Sequence, residues 1–328
     1  MTGFQTILGE RSFLAGARWR GERVWVTDCY AYEVVSALED GSDQRVEATV
    51  EGQPSGLGFL PDGRLLVVSM LDNRILRKEA DGTLVTHADL NGLAAGEIND
   101  MAVDAQGRCW VGCFGFDLTN GAQYAPAPLI RVGTDGTATV VAEGLAFPNG
   151  AICDGETLVV AETFASRIAA FDVTSDGSLV NRRLWAKFGE EPDGDGLTRL
   201  RAADVAADGL TERDEERAIW VADPTHRRAL RVAEGGEVLD EVVVDGLGVY
   251  AVALGGVDGR TLFLTVSPNQ LKHERAHTRD SMLISRRVDV PLASSSLQPA
   301  GRPRATPTSK ARRLALGPHI VESRFDER

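Results

Sequence analysis

Three dipeptides carry the side chains best suited to chemistry: Asn99-Asp100, Asn149-Gly150 and Asp208-Gly209, with Asp204 four residues before Asp208. Small amides and carboxylates are oxygen ligands for a hard cation. Converging in a pocket, they also suit a polar substrate or a proton transfer. The competing reading is that Asn-Gly and Asp-Gly are turn dipeptides and nothing more. What separates the two is whether these residues stand at equivalent points of a repeated element.

The chain does repeat. Gly58 to Lys78, GFLPDGRLLVVSMLDNRILRK, reads as a strand end, a tight turn at Asp62-Gly63, an apolar strand, a polar turn and a further strand. Related units begin near Gly16, Ile98, Phe147 and Ala251, and another ends in Ala218 to Val232. Equivalent turns recur about every 35 to 55 residues, the range of four-stranded propeller blades. No stretch sustains a helical period. The expected fold is all-β: one six-bladed β-propeller over residues 1–291 with its site in the central channel. Asn99, Asn149 and Asp208 then open successive blades and point at the axis. Residues 187–214 read as an acidic surface excursion with a short helix around Leu197 to Ala203. Residues 292–328, rich in Ser, Pro and basic side chains, read as a partly disordered tail.

Composition narrows the partners. The 328 residues are 43% hydrophobic and 25% charged, with a formal net charge of -13. That balance argues against nucleic acid, which requires clustered Lys and Arg. No apolar run approaches the roughly 20 residues needed to span a bilayer. The N-terminus has no signal-peptide pattern, so the expectation is a cytoplasmic protein acting on a small-molecule substrate. Cys29, Cys109, Cys113 and Cys153 form no CxxC pair and read as small buried hydrophobes.

Several segments resemble the SMP-30/gluconolactonase/luciferin-regenerating-enzyme-like family: SFLAGARW from Ser12, RVWVTD from Arg23, EINDMAVDAQGR from Glu97, GLAFPNGA from Gly144, ETFASRIAAFDV from Glu162, IWVADP from Ile219 and LGGVDGRTLFLT from Leu254. The resemblance spans roughly residues 10 to 291. It implies a six-bladed propeller that holds one divalent ion (Ca, Zn, Mg or Mn) and hydrolyses lactones. Asn149 matches the family's metal-binding Asn, and Asn99 and Asp100 match its substrate-side pair. The carboxylate that serves as both metal ligand and catalytic base falls on Asp208, within Val205-Ala206-Ala207-Asp208-Gly209; another register would put Ala203 or Asp204 there. Pro192-Asp193-Gly194 also matches the family's P-D-G but lies far from Trp220.

The family's N-terminal metal-ligand Glu is absent: Ala15 stands in its place, and Ala17 replaces a Pro. A hard ion is held chiefly by carboxylate charge, so losing one of two carboxylates weakens the site severely. Three functions follow. The chain is a lactonase with a residual metal at Asn149 and Asp208, or a metal-independent acid–base enzyme using Asp208, Asp100, Asn99 and Asn149, or a ligand-binding propeller without catalysis. Tyr250 and Phe114, with Phe116 and Phe147, are candidates for the apolar wall of the pocket or for blade core. His87, His226 and His319 read as surface residues, and His273 and His277 as part of a loop over one channel mouth.

Overall fold

The computed structural model describes residues 3–118 and 120–294. Its apolar runs pair into six antiparallel sheets. The first blade is Leu14–Arg20, Arg23–Asp28, Glu33–Leu38 and Arg45–Thr49. The second is Pro54–Phe59, Leu65–Ser69, Arg74–Lys78 and Leu84–Asp89. The third opens with Ile98–Val103 and the fourth with Pro148–Cys153. Ile219–Asp223, Arg228–Val232 and Val238–Val243 belong to the fifth. The sixth combines Gly248–Gly255, Thr261–Ser267 and Ser281–Arg287 with Gln5–Arg11 from the other end of the chain. That exchange ties the last blade to the first and leaves the ring no open seam.

The apolar residues fill the wedges between neighbouring blades. Trp110, Trp185, Trp220 and Phe263 are among the largest fully buried side chains. The innermost strands crowd the axis, which dictates small residues there. A side chain on Gly209 would meet Ala251 Cα at 2.8 Å, and Gly16 combines a φ of +57° with contact against the Ser55 carbonyl.

Strands that end in acidic residues do so for a reason. Asp28, last in its strand, accepts the backbone N–H groups of Ser12 (3.2 Å) and Phe13 (3.1 Å). Glu162 takes that of Ala146 at 2.9 Å, and Asp223 that of Ala206 at 3.2 Å. Each carboxylate thus satisfies amides just before an inner strand, where no ladder partner exists. The device fixes the height at which three inner strands enter the channel.

Blade five departs from the sequence expectation. Residues 187–214 do contain a helix, Gly196–Ala202, capped by Asp195 accepting from the Thr198 N–H. The end of that segment, however, is not surface. Val205, Ala206 and Ala207 are buried, Asp208 N donates to Ala222 O at 2.9 Å, and Leu210 bridges Val221. This short stretch is the innermost rung of the fifth blade, too brief and polar beyond Thr211 to show as a strand. Leu292, expected in the tail, is buried, and its N–H donates to Gly259 O at 2.8 Å. His87 is likewise not a surface residue; it is buried in its strand, where desolvation and Arg77 lower its pKa and keep it neutral. The rest of the expected tail, with His319, lies outside the described residues. Among the described residues no helix is long and apolar enough to cross a membrane.

Candidate functional site

Pairing slips at matching points of five inner strands: between Ala15 and Arg18, Pro54 and Leu57, Ile98 and Met101, Pro148 and Ala151, and Val249 and Ala251. Such irregularities turn a side chain out of the ladder. They set a ring of residues around the channel: Ala15, Ser55, Asn99, Asn149 and Tyr250, with Asp208 completing it from blade five.

Four members form a hydrogen-bonded belt across four blades. Ser55 Oγ donates to Asn99 Oδ1 at 2.7 Å, and Asn99 Nδ2 donates to Asn149 Oδ1 at 2.7 Å. The Asn149 side chain bonds in turn to the Asp208 carboxyl and, through Nδ2, to Thr163 Oγ1 at 3.1 Å. Thr163 Oγ1 donates to Ala207 O at 2.7 Å and so anchors the backbone beside Asp208. Asp208 is enclosed by protein yet keeps part of its surface open to the channel. Burial pushes its pKa well above the usual carboxylate range; the negative charges of Asp100 and Asp223 push the same way, and the Asn149 hydrogen bond opposes them.

Of the residues expected from sequence, Asn99, Asn149 and Asp208 come together. Tyr250 stands beside them, buried, with Oη donating to Gln270 Oε1 at 3.3 Å; burial and the nearby Asp208 raise its pKa. Phe114 stacks on Phe147 with centroids 4.2 Å apart, between blades three and four. Asp100 does not present its carboxylate as Asn99 presents its amide. Its Oδ1 accepts from its neighbour's N–H (Met101, 2.8 Å) and from Arg18 Nη2 at 2.7 Å. Asp204 is exposed outside the channel, its backbone N–H bonded to Ser166 Oγ at 3.0 Å. Ala15 packs with Tyr30 against Phe13, Cys29 and Tyr250.

Sequence reasoning missed Ser55, Thr163, Arg18 and the helix within the strap over the mouth. Ser55-Gly56 repeats the pattern of Ala15-Gly16 and Asn149-Gly150, and aligning the blades on that dipeptide would have found it. Residues 268–278 were expected as a loop. They carry a short helix, Lys272–Arg275, with His273 largely exposed. Gln270 O accepts from Tyr30 Oη at 2.6 Å and Lys272 Nζ donates to Gln53 Oε1 at 2.9 Å, which fastens the strap to the first two blades. Glu97 lies two residues before Asn99; burial and Asp117 raise its pKa against the pull of Lys272.

The donor set does not fit a hard divalent ion. Asn149 Oδ1, the oxygen that would face it, accepts the Asn99 amide. Asp208 supplies a single carboxylate, and a methyl group fills the Ala15 position. Among the described residues no cluster of three or more His, Cys, Asp or Glu side chains is placed to bind a metal.

A six-bladed propeller with an acid-and-amide belt in its channel defines the class, and the family model for the SMP-30/gluconolactonase/LRE-like region matches residues 15–268. The chain belongs to that family. Among its relatives, Pentonolactonase XacC of Haloferax volcanii is 27% identical over 215 residues, covering 65% of this chain and 67% of its own. The 6-deoxy-6-sulfogluconolactonase of Pseudomonas putida is 28% identical over 215 residues, 63% of this chain and 67% of its own. The crystal structure of a calcium-binding protein, regucalcin, from Agrobacterium tumefaciens superposes with a TM-score of 0.69 at 18% identity, covering 88% of this chain and 95% of that one, a likeness of fold.

Proposed function

We propose that this protein hydrolyses a small, polar, sugar-type lactone in the upper channel, with Asp208 as the acid–base group and without need of a divalent ion. The family and its lactonase relatives support the reaction class. The observation that carries the reading is Asp208: a carboxyl on the channel axis, held by Asn149, whose pKa is pushed up by burial and Asp100. A carboxyl whose pKa is raised in this way is a stronger base than an ordinary aspartate, which suits a general base.

The reaction uses groups already in place. Ionised Asp208 takes a proton from the water that attacks the lactone carbonyl. The tetrahedral oxyanion gathers hydrogen bonds from polar donors on the ring. The intermediate collapses, the ring acyl C–O bond breaks, and protonated Asp208 returns its proton to the leaving alkoxide. One water is consumed and the hydroxy acid leaves. Asn99 and Asn149 orient the carboxyl and the substrate hydroxyls, and Phe114 on Phe147 supplies an apolar wall. Asp100, tied to Arg18, acts on Asp208 through its charge and does not itself transfer the proton.

The alternative is a lactonase that works with a weakly held ion at Asn149 and Asp208. The two are separated by assaying aldonolactones before and after exhaustive chelation. The proposal expects turnover to survive chelation and to be lost in Asp208→Asn; loss of turnover on chelation alone, restored by added Ca2+ or Zn2+, contradicts it.

A further inference from the structure

Beyond the ring residues, the inner strands continue to the opposite mouth and enclose a cavity of about 240 Å³. Arg18 lines this cavity, and its guanidinium is engaged with the first and third blades. It donates to Ala17 O at 2.9 Å in its own blade, to Asp100 Oδ1 at 2.7 Å and to Met101 O at 3.0 Å in the third. The blade between them makes room: a side chain on Gly56 would strike the Asp100 carboxylate, with Asp100 Cα at 2.6 Å and Asn99 O at 2.9 Å. Arg18 therefore reaches across one blade to grip the next, and what it grips is the irregularity in pairing that turns Asn99 into the channel. Its side chain is 21% exposed and that of Asp100 is 9%, so this is a largely desolvated contact and not a surface ion pair.

We propose that Arg18 is a positioning residue for the site above it: its Nη2, bonded to both Asp100 and Met101, sets the Asn99 amide, which sets Asn149, which holds Asp208. The contacts form one continuous line from the lower cavity to the catalytic carboxyl: Arg18 to Asp100 and Met101, Asn99 to Asn149 at 2.7 Å, and Asn149 to Asp208. Both hydrogens of Nη2 are used, one on the Asp100 carboxylate and one on the Met101 carbonyl, while Nη1 holds Ala17 O; a lysine ammonium can make the first two contacts but not all three in this plane. Glu212, in the same cavity, faces Arg18 electrostatically from blade five without replacing Asp100 as its partner.

The inference rests on the lactonase reading for its kinetic test, so a second readout is independent of turnover. Arg18→Met, Arg18→Lys, Gly56→Ala and the double variant Arg18→Met/Asp100→Asn are compared with wild type. Displacing a positioned group by an ångström costs on the order of 10²-fold in rate. Arg18→Met should lose about that much kcat with KM changed less than about threefold, the signature of lost transition-state geometry. Arg18→Lys should recover part of it. The double variant, which leaves no unpaired buried charge, should fold normally and be no slower than Arg18→Met, since the two residues act as one unit. In protein labelled with nitrogen-15 asparagine, the side-chain amide signals of Asn99 and Asn149 should shift in Arg18→Met and in Gly56→Ala. Shifted amides in a protein whose wild type opens no lactone would sustain the positioning role and sink the lactonase reading. Unshifted amides, wild-type kcat in a folded Arg18→Met, or no recovery with Lys would overturn the role itself.

Discussion

Asp208 carries an energetic cost that the proposed acid–base role would explain. Its folded pKa is raised above its unfolded value, so the protonated form is the one the fold accepts without penalty. The associated stability is fully present below the unfolded carboxylate pKa and is lost as pH rises through the raised folded value. Two outcomes follow. Asp208→Asn should raise the melting temperature at neutral pH by a few degrees, in a scanning calorimeter, while removing turnover by about 10²- to 10⁴-fold. And because the base must be ionised, kcat/KM should climb with pH through a midpoint well above that of an ordinary aspartate, measured on a lactone stable across that range. At Ala15 the test runs the other way. Ala15→Glu places a second carboxylate in the ring, and calorimetric titration should then detect tighter divalent binding than in wild type. Unchanged binding would mean that residue 15 does not face the ion position.

At the scale of elements, the blades show what could be read from sequence and what could not. The Asp62-Gly63 turn with Leu65 to Ser69 announced a strand pair because its apolar run and turn chemistry are local. The convergence of Asn99 and Asn149 followed from their repeating position. In blade five the Asp208-Gly209 dipeptide was legible but the rung around it was not, because Val205 to Thr211 is held by contacts with Ala222, Trp220 and Tyr250 and not by any pattern of its own. Arg18 stayed hidden for a similar reason: nothing in GARWR says that a guanidinium will cross a whole blade to Asp100. His87 reversed its expectation because it lies in the strand Leu84–Asp89, where it and its neighbour Ala88 are both buried. The crowding that hid this rung also makes it fragile. Gly209→Ala forces a methyl against Ala251 Cα, now 2.8 Å from where that carbon would lie. Overpacking of this kind costs about 1 to 3 kcal/mol, which urea denaturation would register as a lowered midpoint at constant slope.

The whole molecule depends on closure. Gln5–Arg11 pairs with Ser281–Arg287, so the two ends of the propeller are held by one sheet, and Leu8 in that outer strand is fully buried. Leu8→Ala should destabilise the protein by about 2 to 5 kcal/mol. The loss should register in every blade at once, because a ring that opens at one seam exposes both flanking wedges; hydrogen exchange confined to the sixth blade would show instead that the blades unfold independently. The ring also explains why one carboxyl can dominate the chemistry. Six inner strands converge on one axis, and a single buried acid there lies within reach of amides from several blades. The central claim is tested most directly by following lactone opening in a pH-stat, with fully chelated wild type beside Asp208→Asn on a panel of aldonolactones. The account predicts catalysed acid release by wild type and none above background by the variant. A variant as fast as wild type, or a chelated wild type that opens no lactone, would contradict it.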